Sequence, residues 1–131
     1  METISISTKT RTEFVEISSQ VGEIVRKSKV KDGICVVFCP HTTAGLTINE
    51  NADPDVQADI LNSLNKLVPH NGSYSHTEGN ADAHIKASLM GSSLNILIKN
   101  GGLVLGTWQG VFLTEFDGPR DRKVYVEVAG K

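Results

Sequence analysis

Most of the chain alternates between apolar and polar residues, or carries short apolar runs, as β-strands do. Residues 3–8 alternate, whereas residues 34–38 form an unbroken apolar run, typical of a strand buried on both faces. Further strands are predicted at residues 14–17, 45–48, 94–98, 103–105, 110–116 and 122–128. Asn100-Gly101-Gly102 tolerates the positive φ angles of a tight turn, which predicts a hairpin between two of these strands.

Two segments show the spacing of longer helices instead. The first follows Ser18-Ser19, a pair suited to capping a helix start. The second begins at Asp53-Pro54, a capping carboxylate followed by proline in the first helical position. The apolar residues that recur at helical spacing are Val21, Ile24 and Val25 in the first segment and Val56, Ile60, Leu64 and Leu67 in the second.

A third, shorter helix is predicted over residues 81–90, with Asn80 as its cap. Helical spacing places His84 and Ser88 on one face, and Ile85 and Leu89 on the face expected to meet the core. Together these patterns predict an α/β (α+β) fold with about six to eight strands and two or three helices.

Composition limits the possible partners. The 131 residues fit a single domain over 1–131, and 39% of them are apolar, a low share that burial against another subunit could offset. The net charge of −2 includes no basic stripe, and no apolar run approaches the ~20 residues of a membrane span, so we expect no nucleic-acid and no membrane partner. The N-terminus lacks a signal-peptide pattern, which favours a cytoplasmic protein with Cys35 and Cys39 as reduced core residues.

The first polar cluster follows the apolar run at residues 34–38. It reads Pro40-His41-Thr42-Thr43-Ala44-Gly45, and Asn49-Glu50-Asn51 comes shortly after it. A side chain at the end of a buried strand is held rigidly and still reaches the surface. His41 is therefore a candidate general acid or base, or a metal ligand, although a histidine that only braces a turn has the same pattern.

The second polar cluster contains two more histidines. His76 lies in the loop before the third helix, and His84 lies in the first full turn of that helix. His41, His76 and His84 could together hold a divalent metal, zinc or magnesium, with one coordination position open. Glu78 could act as a base or support the metal ligands. The alternative is a loop whose polar residues only cap and brace the helix.

The third cluster lies in glycine-containing turns of the last third of the chain. Trp108, the only tryptophan, could form a flat wall for a ring-shaped ligand, and Gln109 beside it is a candidate substrate contact. Arg120 could grip a phosphate or carboxylate with two parallel donors. The alternatives are a core tryptophan and a surface arginine paired with Asp117 or Asp121.

Taken in chain order, these motifs resemble the YjbQ-type family over about residues 3–129. Each string is modest alone, but five in the family's order form a specific pattern. The matching strings are His41-Thr42-Thr43-Ala44, Asn49-Glu50-Asn51-Ala52-Asp53-Pro54, Asn80-Ala81-Asp82-Ala83-His84-Ile85-Lys86-Ala87, Leu105-Gly106-Thr107-Trp108-Gln109 and Glu115-Phe116-Asp117-Gly118-Pro119-Arg120.

The resemblance implies a compact sandwich-like fold, a homotrimer, and a pocket near a subunit boundary. It also implies a secondary thiamine-phosphate synthase activity, which joins a pyrimidine diphosphate to a thiazole phosphate and releases diphosphate. In such a pocket Trp108 would stack on a ring, Arg120 or Lys86 would hold phosphate, and a histidine or bound metal would neutralise the leaving group. The implied pocket residues are His41, Asn51, His76, His84, Trp108 and Arg120.

Two other functions fit the same residues. One is a metal-dependent hydrolase or lyase acting on a small phosphorylated metabolite, and the other is a non-catalytic ligand-binding trimer. The dedicated thiamine-phosphate synthase is a (β/α)8 barrel, a fold typically of about 250 residues, whereas this chain is shorter and has no βα repeat. We therefore expect the synthase reaction to be a side activity of a protein whose physiological substrate is open.

Overall fold

Eight strands and three helices make up the computed structural model, which describes residues 1–131. In chain order the elements are β1 (Glu2–Ser7), β2 (Glu13–Glu16), α1 (Ser18–Ser28), β3 (Gly33–Phe38), β4 (Ala44–Glu50), α2 (Pro54–Leu67), α3 (Ala81–Met90), β5 (Ser93–Lys99), β6 (Gly102–Leu103), β7 (Gln109–Glu115) and β8 (Asp121–Gly130). The expected mixed α+β architecture is confirmed.

The strands form two antiparallel sheets that enclose one core. The larger sheet has the order β1-β8-β3-β5-β6, and the smaller has the order β2-β7-β4. The core cluster of 16 buried residues takes side chains from both sheets and from α1. Because side chains alternate across a strand, one face of each sheet meets this core and the other faces outward.

Burial along β3 differs from the sequence prediction. Cys35 and Val37 are fully buried, but Ile34 and Phe38 are 36% and 42% exposed, so the strand is not buried on both faces. Opposite Ile34 on β5, Leu97 is 65% exposed. The reason is that no helix of the chain covers the outer face of the larger sheet at this point.

The two longer helices begin differently. The Asp53 carboxylate accepts a hydrogen bond from the backbone N–H of Asp55 at 2.9 Å, which confirms the predicted cap of α2. At α1 the predicted serine cap is wrong, because the cap position is Ile17 and no side chain caps the helix. The Ser18 hydroxyl instead accepts from the backbone N–H of Val111 at 2.8 Å and so ties α1 to β7.

The buried face of α3 is also different from the one predicted. Ala83 and Ala87 are buried, whereas Ile85 and Leu89 are 41% and 57% exposed. The helix lies so close to β4 that a Cβ added to Gly45 would come within 2.9 Å of the Met90 Cβ. Only small side chains fit such an approach, so the alanine face packs inward.

A buried ion-pair network joins α3 to the β1–β2 loop. Asp82 and Lys86 are 0% and 1% exposed, and the Lys86 Nζ lies 2.9 Å from the Asp82 carboxylate. Arg11 donates two hydrogen bonds to the two oxygens of the same carboxylate, at 3.1 and 3.0 Å. Lys86 also donates to the Asn65 side-chain oxygen at 2.8 Å. The buried ammonium therefore has a countercharge and a second hydrogen-bond acceptor.

Two smaller expectations are met. Asn100 and Gly101 have φ angles of 52° and 80°, and the strands on either side pair as the predicted hairpin. Cys35 and Cys39 are free and buried, and burial raises the pKa of the Cys35 thiol to about 11. No helix is both long enough and apolar enough to cross a membrane.

We predict that Asp82→Asn lowers the free energy of unfolding by about 3–5 kcal/mol, because it leaves the Lys86 ammonium buried without a countercharge. Urea unfolding measures this loss. Glu23→Gln is the matched control, because Glu23 pairs with Arg26 on the exposed surface of α1, and its removal should have no measurable effect.

The same ion-pair network predicts a pH dependence. Burial alone would raise the pKa of Asp82, but hydrogen bonds from Arg11 and Lys86 outweigh it and lower the pKa from 3.8 to about 2. The stabilisation is therefore complete above about pH 5 and is lost as pH falls through 3.8 toward 2. If Asp82→Asn unfolds at the same urea concentration as the unmodified protein at pH 7, this account of the ion-pair network is contradicted.

Candidate functional site

One surface cavity brings together two of the predicted site residues. It has a volume of about 520 Å³ and lies between the β3–β4 connection and α3. Two depressions of similar size lie elsewhere, but neither contains a histidine. The cavity is lined by His41, Thr42, Ala44, His84, Ala87, Ser88, Gly91 and Ser92.

His41 is held at the cavity through its ring. Its Nε2 atom accepts a hydrogen bond from the backbone N–H of Lys123 at 2.9 Å. Burial and the nearby Arg122 guanidinium lower the pKa of His41 below the ordinary value of 6.5. The ring is therefore neutral at neutral pH and suited to hydrogen bonding.

A buried carboxylate organises the segments around His41. Glu115 accepts hydrogen bonds from the Thr8 hydroxyl at 2.7 Å and from the Arg122 Nε at 2.8 Å. Arg122 also donates to the Thr43 hydroxyl at 2.8 Å. Burial alone would raise the pKa of Glu115, but these donors hold it below its ordinary value. The β3–β4 connection that carries His41 is thus fixed to an ion pair in the core.

The same network extends to the turn between β7 and β8. Glu115 accepts from the backbone N–H of Asp117 at 3.0 Å, and the Asp117 carboxylate accepts from the Asn80 side-chain amide at 2.9 Å. Asn80 occupies the cap position of α3, as predicted, but its side chain makes no capping hydrogen bond. Its amide instead fixes the start of α3, and with it His84, relative to the Glu115 network.

His76 lies beside His84, and Glu78 lies beside His76. The ring centroids of His76 and His84 are 5.3 Å apart, with the rings edge to face. The His76 Nε2 lies 3.6 Å from a Glu78 carboxylate oxygen, and Glu78 is largely exposed. His41 and His84 thus share the cavity, while His76 and Glu78 extend the polar surface from His84 outward.

The side chains of one chain do not fit a three-histidine metal site. No three histidine, cysteine, aspartate or glutamate side chains form a group that could hold a metal ion. The Nε2 of His41 is already occupied by the Lys123 amide. A divalent metal therefore stays a prediction that requires ligands beyond His76 and His84, the two histidines whose rings lie together.

Asn51, Trp108 and Gln109 lie at the opposite end of β4 from the cavity. Ala44 lines the cavity, and the β4–β7 register runs from there to Glu50 opposite Gln109. Six residue steps along a strand span about 20 Å. Trp108 is 63% exposed, which excludes the core alternative, and its carbonyl accepts from the Asn51 backbone N–H at 2.9 Å.

The two predicted phosphate-binding cations are both paired. Arg120 is half exposed, and its guanidinium donates to the Asp117 carboxylate at 3.0 Å, which is the surface pairing named as the alternative. Lys86, a residue of α3, has a buried side chain that is paired with Asp82 and does not line the cavity. The prediction that Lys86 holds phosphate is corrected on this ground.

Sequence reasoning missed the residues that position the site. Glu115 continues the inward-facing series of Val111 and Leu113, and Arg122 precedes the inward-facing Val124 in the same alternation. A charged residue at an inward position of an alternating strand is the signal that could have identified both, because such residues are rarely buried without a partner.

Comparisons with known proteins agree with this architecture. A family model described as "UPF0047 protein YjbQ-like" matches residues 2–131. A UPF0047 protein from Methanocaldococcus jannaschii is 56% identical over 125 residues, which cover 95% of this chain and 91% of that protein. The UPF0047 protein YugU from Bacillus subtilis is 43% identical over 131 residues, which cover 99% of this chain and 99% of that protein.

Solved structures show the same fold. A crystal structure of an uncharacterized YjbQ/UPF0047 family protein from Clostridium acetobutylicum is 59% identical, with a TM-score of 0.97 over 98% of this chain and 100% of that one. A YbjQ-like protein of unknown function from Sulfolobus solfataricus is 38% identical, with a TM-score of 0.96 over 99% of this chain and 96% of that one. The protein described here therefore belongs to the YjbQ family, also designated UPF0047.

Proposed function

We propose that this protein is a cytoplasmic, homotrimeric transferase for phosphorylated small molecules, with thiamine-phosphate synthase activity as a secondary reaction. The observation that carries the proposal is the cavity of about 520 Å³ in which His41 and His84 meet. Its volume falls in the range of small-molecule sites, roughly 300–1,000 Å³. The two free, buried cysteines are consistent with a reducing compartment.

The lining of the cavity suits an anionic group. It contains no aspartate or glutamate, so no carboxylate would repel a phosphate there. The hydroxyls of Thr42 and Ser92 line the cavity, whereas that of Ser88 donates to the His84 carbonyl at 2.9 Å. The neutral His41 ring and the His84 ring add nitrogen atoms to these hydroxyls. Together they could bind the oxygens of a phosphate or diphosphate.

The proposed reaction needs stabilisation of a leaving group more than a strong base. A new carbon–nitrogen bond joins the pyrimidine methylene to the thiazole nitrogen, and the carbon–oxygen bond to diphosphate breaks with its electron pair on diphosphate. Hydrogen-bond donors placed where that negative charge develops lower the barrier. Residues of this kind line the cavity, whereas a nucleophilic side chain activated by a base is not required.

The separation of the predicted residues supports a site shared between subunits. Trp108 and Asn51 lie about 20 Å along β4 from the cavity in the same chain, too far to contact one small ligand there. A second copy could bring its own Trp108 to the cavity. The exposed tryptophan would then form the ring-binding wall opposite His41 and His84.

Two uncovered apolar surfaces support association between copies. One is the outer face of the larger sheet, where Ile34, Phe38 and Leu97 are exposed. The other is α2, which has no buried residue and whose Leu67 is 74% exposed. The two surfaces differ, so contact between them would be head-to-tail, the kind of contact that closes into a ring.

We predict that His84→Ala lowers kcat for thiamine-phosphate formation at least about 100-fold, the usual effect of losing a positioned catalytic group. The fold should be unchanged, because His84 lines the open cavity and makes no side-chain hydrogen bond. His70→Gln is the matched control, because it retains an amide donor for the Gly79 carbonyl that His70 contacts at 2.9 Å. Unchanged turnover in His84→Ala would refute the role assigned to this cavity, and saturable ligand binding without product would favour a binding protein.

A second prediction tests whether the site is shared. His84→Ala and Trp108→Ala should each be inactive alone, but subunits of the two variants assembled together should regain about a quarter of the activity. In an equal mixture, half of the subunits have an intact His84 and half of their neighbours have an intact Trp108. About one interface in four therefore combines both intact residues.

Mixing His84→Ala with His41→Gln is the matched control. Both changes lie in one cavity, so no mixed assembly contains an intact site and activity should not return. If the first mixture also stays inactive although both variants assemble normally, the site does not combine His84 and Trp108 from different subunits.

A further inference from the structure

The hydrogen bond between His41 and Lys123 arises where β3 ends. The strand ends at Phe38, which pairs with Tyr125 of β8. Two residues further along this register, Lys123 lies beyond the end of β3, so the strand offers no carbonyl oxygen to accept its backbone N–H. The imidazole of His41 accepts the Lys123 N–H at 2.9 Å and so replaces the missing strand partner.

This hydrogen bond determines which ring nitrogen carries the proton. A nitrogen that accepts a hydrogen bond is unprotonated, so a neutral His41 must carry its proton on Nδ1. Nδ1 makes no hydrogen bond within the chain, and His41 lines the cavity. In neutral His41, Nε2 is therefore the acceptor bound to Lys123, and the Nδ1–H donor has no partner within the chain.

The Glu115 network holds both partners of this hydrogen bond. Arg122 is adjacent to Lys123 and donates to the side chain and carbonyl of Thr43, two residues after His41, at 2.8 and 3.3 Å. Arg122 is in turn held by the buried Glu115 carboxylate. A shift of the ring relative to the amide would therefore strain a buried ion pair, which favours a single tautomer.

We infer that His41 acts as a neutral hydrogen-bond donor, through Nδ1–H, to an anionic oxygen of the ligand, and not as a metal ligand or as a base through Nε2. The identification of this anionic oxygen as part of a leaving diphosphate rests on the function proposed above. No proton is transferred, because the diphosphate leaves with the electron pair of the broken bond. A metal at Nε2 would have to displace the Lys123 amide. A metal at Nδ1 would require an unprotonated Nδ1, with the proton on Nε2, the atom that accepts the Lys123 N–H.

The tautomer can be observed directly in ¹⁵N-labelled protein by long-range ¹H–¹⁵N NMR at neutral pH. The His41 resonances are assigned by their absence in His41→Gln. The expected result is a protonated Nδ1 and an unprotonated Nε2, with both resonances unchanged on addition of zinc ions. A protonated Nε2, or a zinc-dependent change at either nitrogen, would overturn the inference.

The donor role can be tested separately by binding of inorganic diphosphate, measured by calorimetry. Asparagine can place an amide donor near the Nδ1 position, whereas glutamine can keep only an acceptor near Nε2. We expect His41→Asn to bind within about threefold of the unmodified protein and His41→Gln to bind at least about tenfold more weakly, the usual effect of losing a hydrogen bond to a charged group. The reverse order, or no binding by the unmodified protein, would overturn the donor role.

The two proposals fail in different ways. If no thiamine phosphate forms but the tautomer and the order of diphosphate binding are as expected, only the proposed reaction is refuted. If the reaction occurs and the tautomer is reversed, only the role of His41 is refuted.

Discussion

The arrangement of the site follows from one ionised carboxylate inside the core. Glu115 is fully buried and accepts hydrogen bonds from Arg122, from Thr8 and from two backbone N–H groups of the following turn. A charge in such surroundings is tolerated only when it is completely paired, so its partners cannot shift independently. The β3–β4 connection, the end of β1 and the β7–β8 turn are therefore held at fixed positions around His41.

Much of the fold could be predicted from local signals. The turn at Asn100-Gly101 and the start of α2 at Asp53 depend on backbone angles and capping within a few residues, and both are confirmed. The buried face of α3 depends instead on its distance from Gly45, which is a tertiary property. Hydrophobicity alone therefore predicts the wrong buried face, that of Ile85 and Leu89, because it does not report how closely two backbones approach.

The candidate site shows the same limit. His41 and His84 could be identified from their positions after a strand and on a short helix, and the structure brings them to one cavity. No local sequence signal shows that Trp108 lies at the far end of β4, or that Lys86 forms a buried ion pair with Asp82. Motifs that flank the same strand in the sequence can lie at its two ends in the structure, and the sequence does not show this distance.

A crystal structure of the protein with both products, thiamine phosphate and diphosphate, bound would decide whether the cavity is the reactive site. We expect the diphosphate in the cavity between His41 and His84, with an oxygen at hydrogen-bonding distance from the His41 Nδ1, and a ring of thiamine phosphate against Trp108 of the partner subunit. A ligand bound elsewhere, or a cavity that no neighbouring subunit approaches, would contradict the account. So would a His41 ring that has left the Lys123 amide to coordinate a metal.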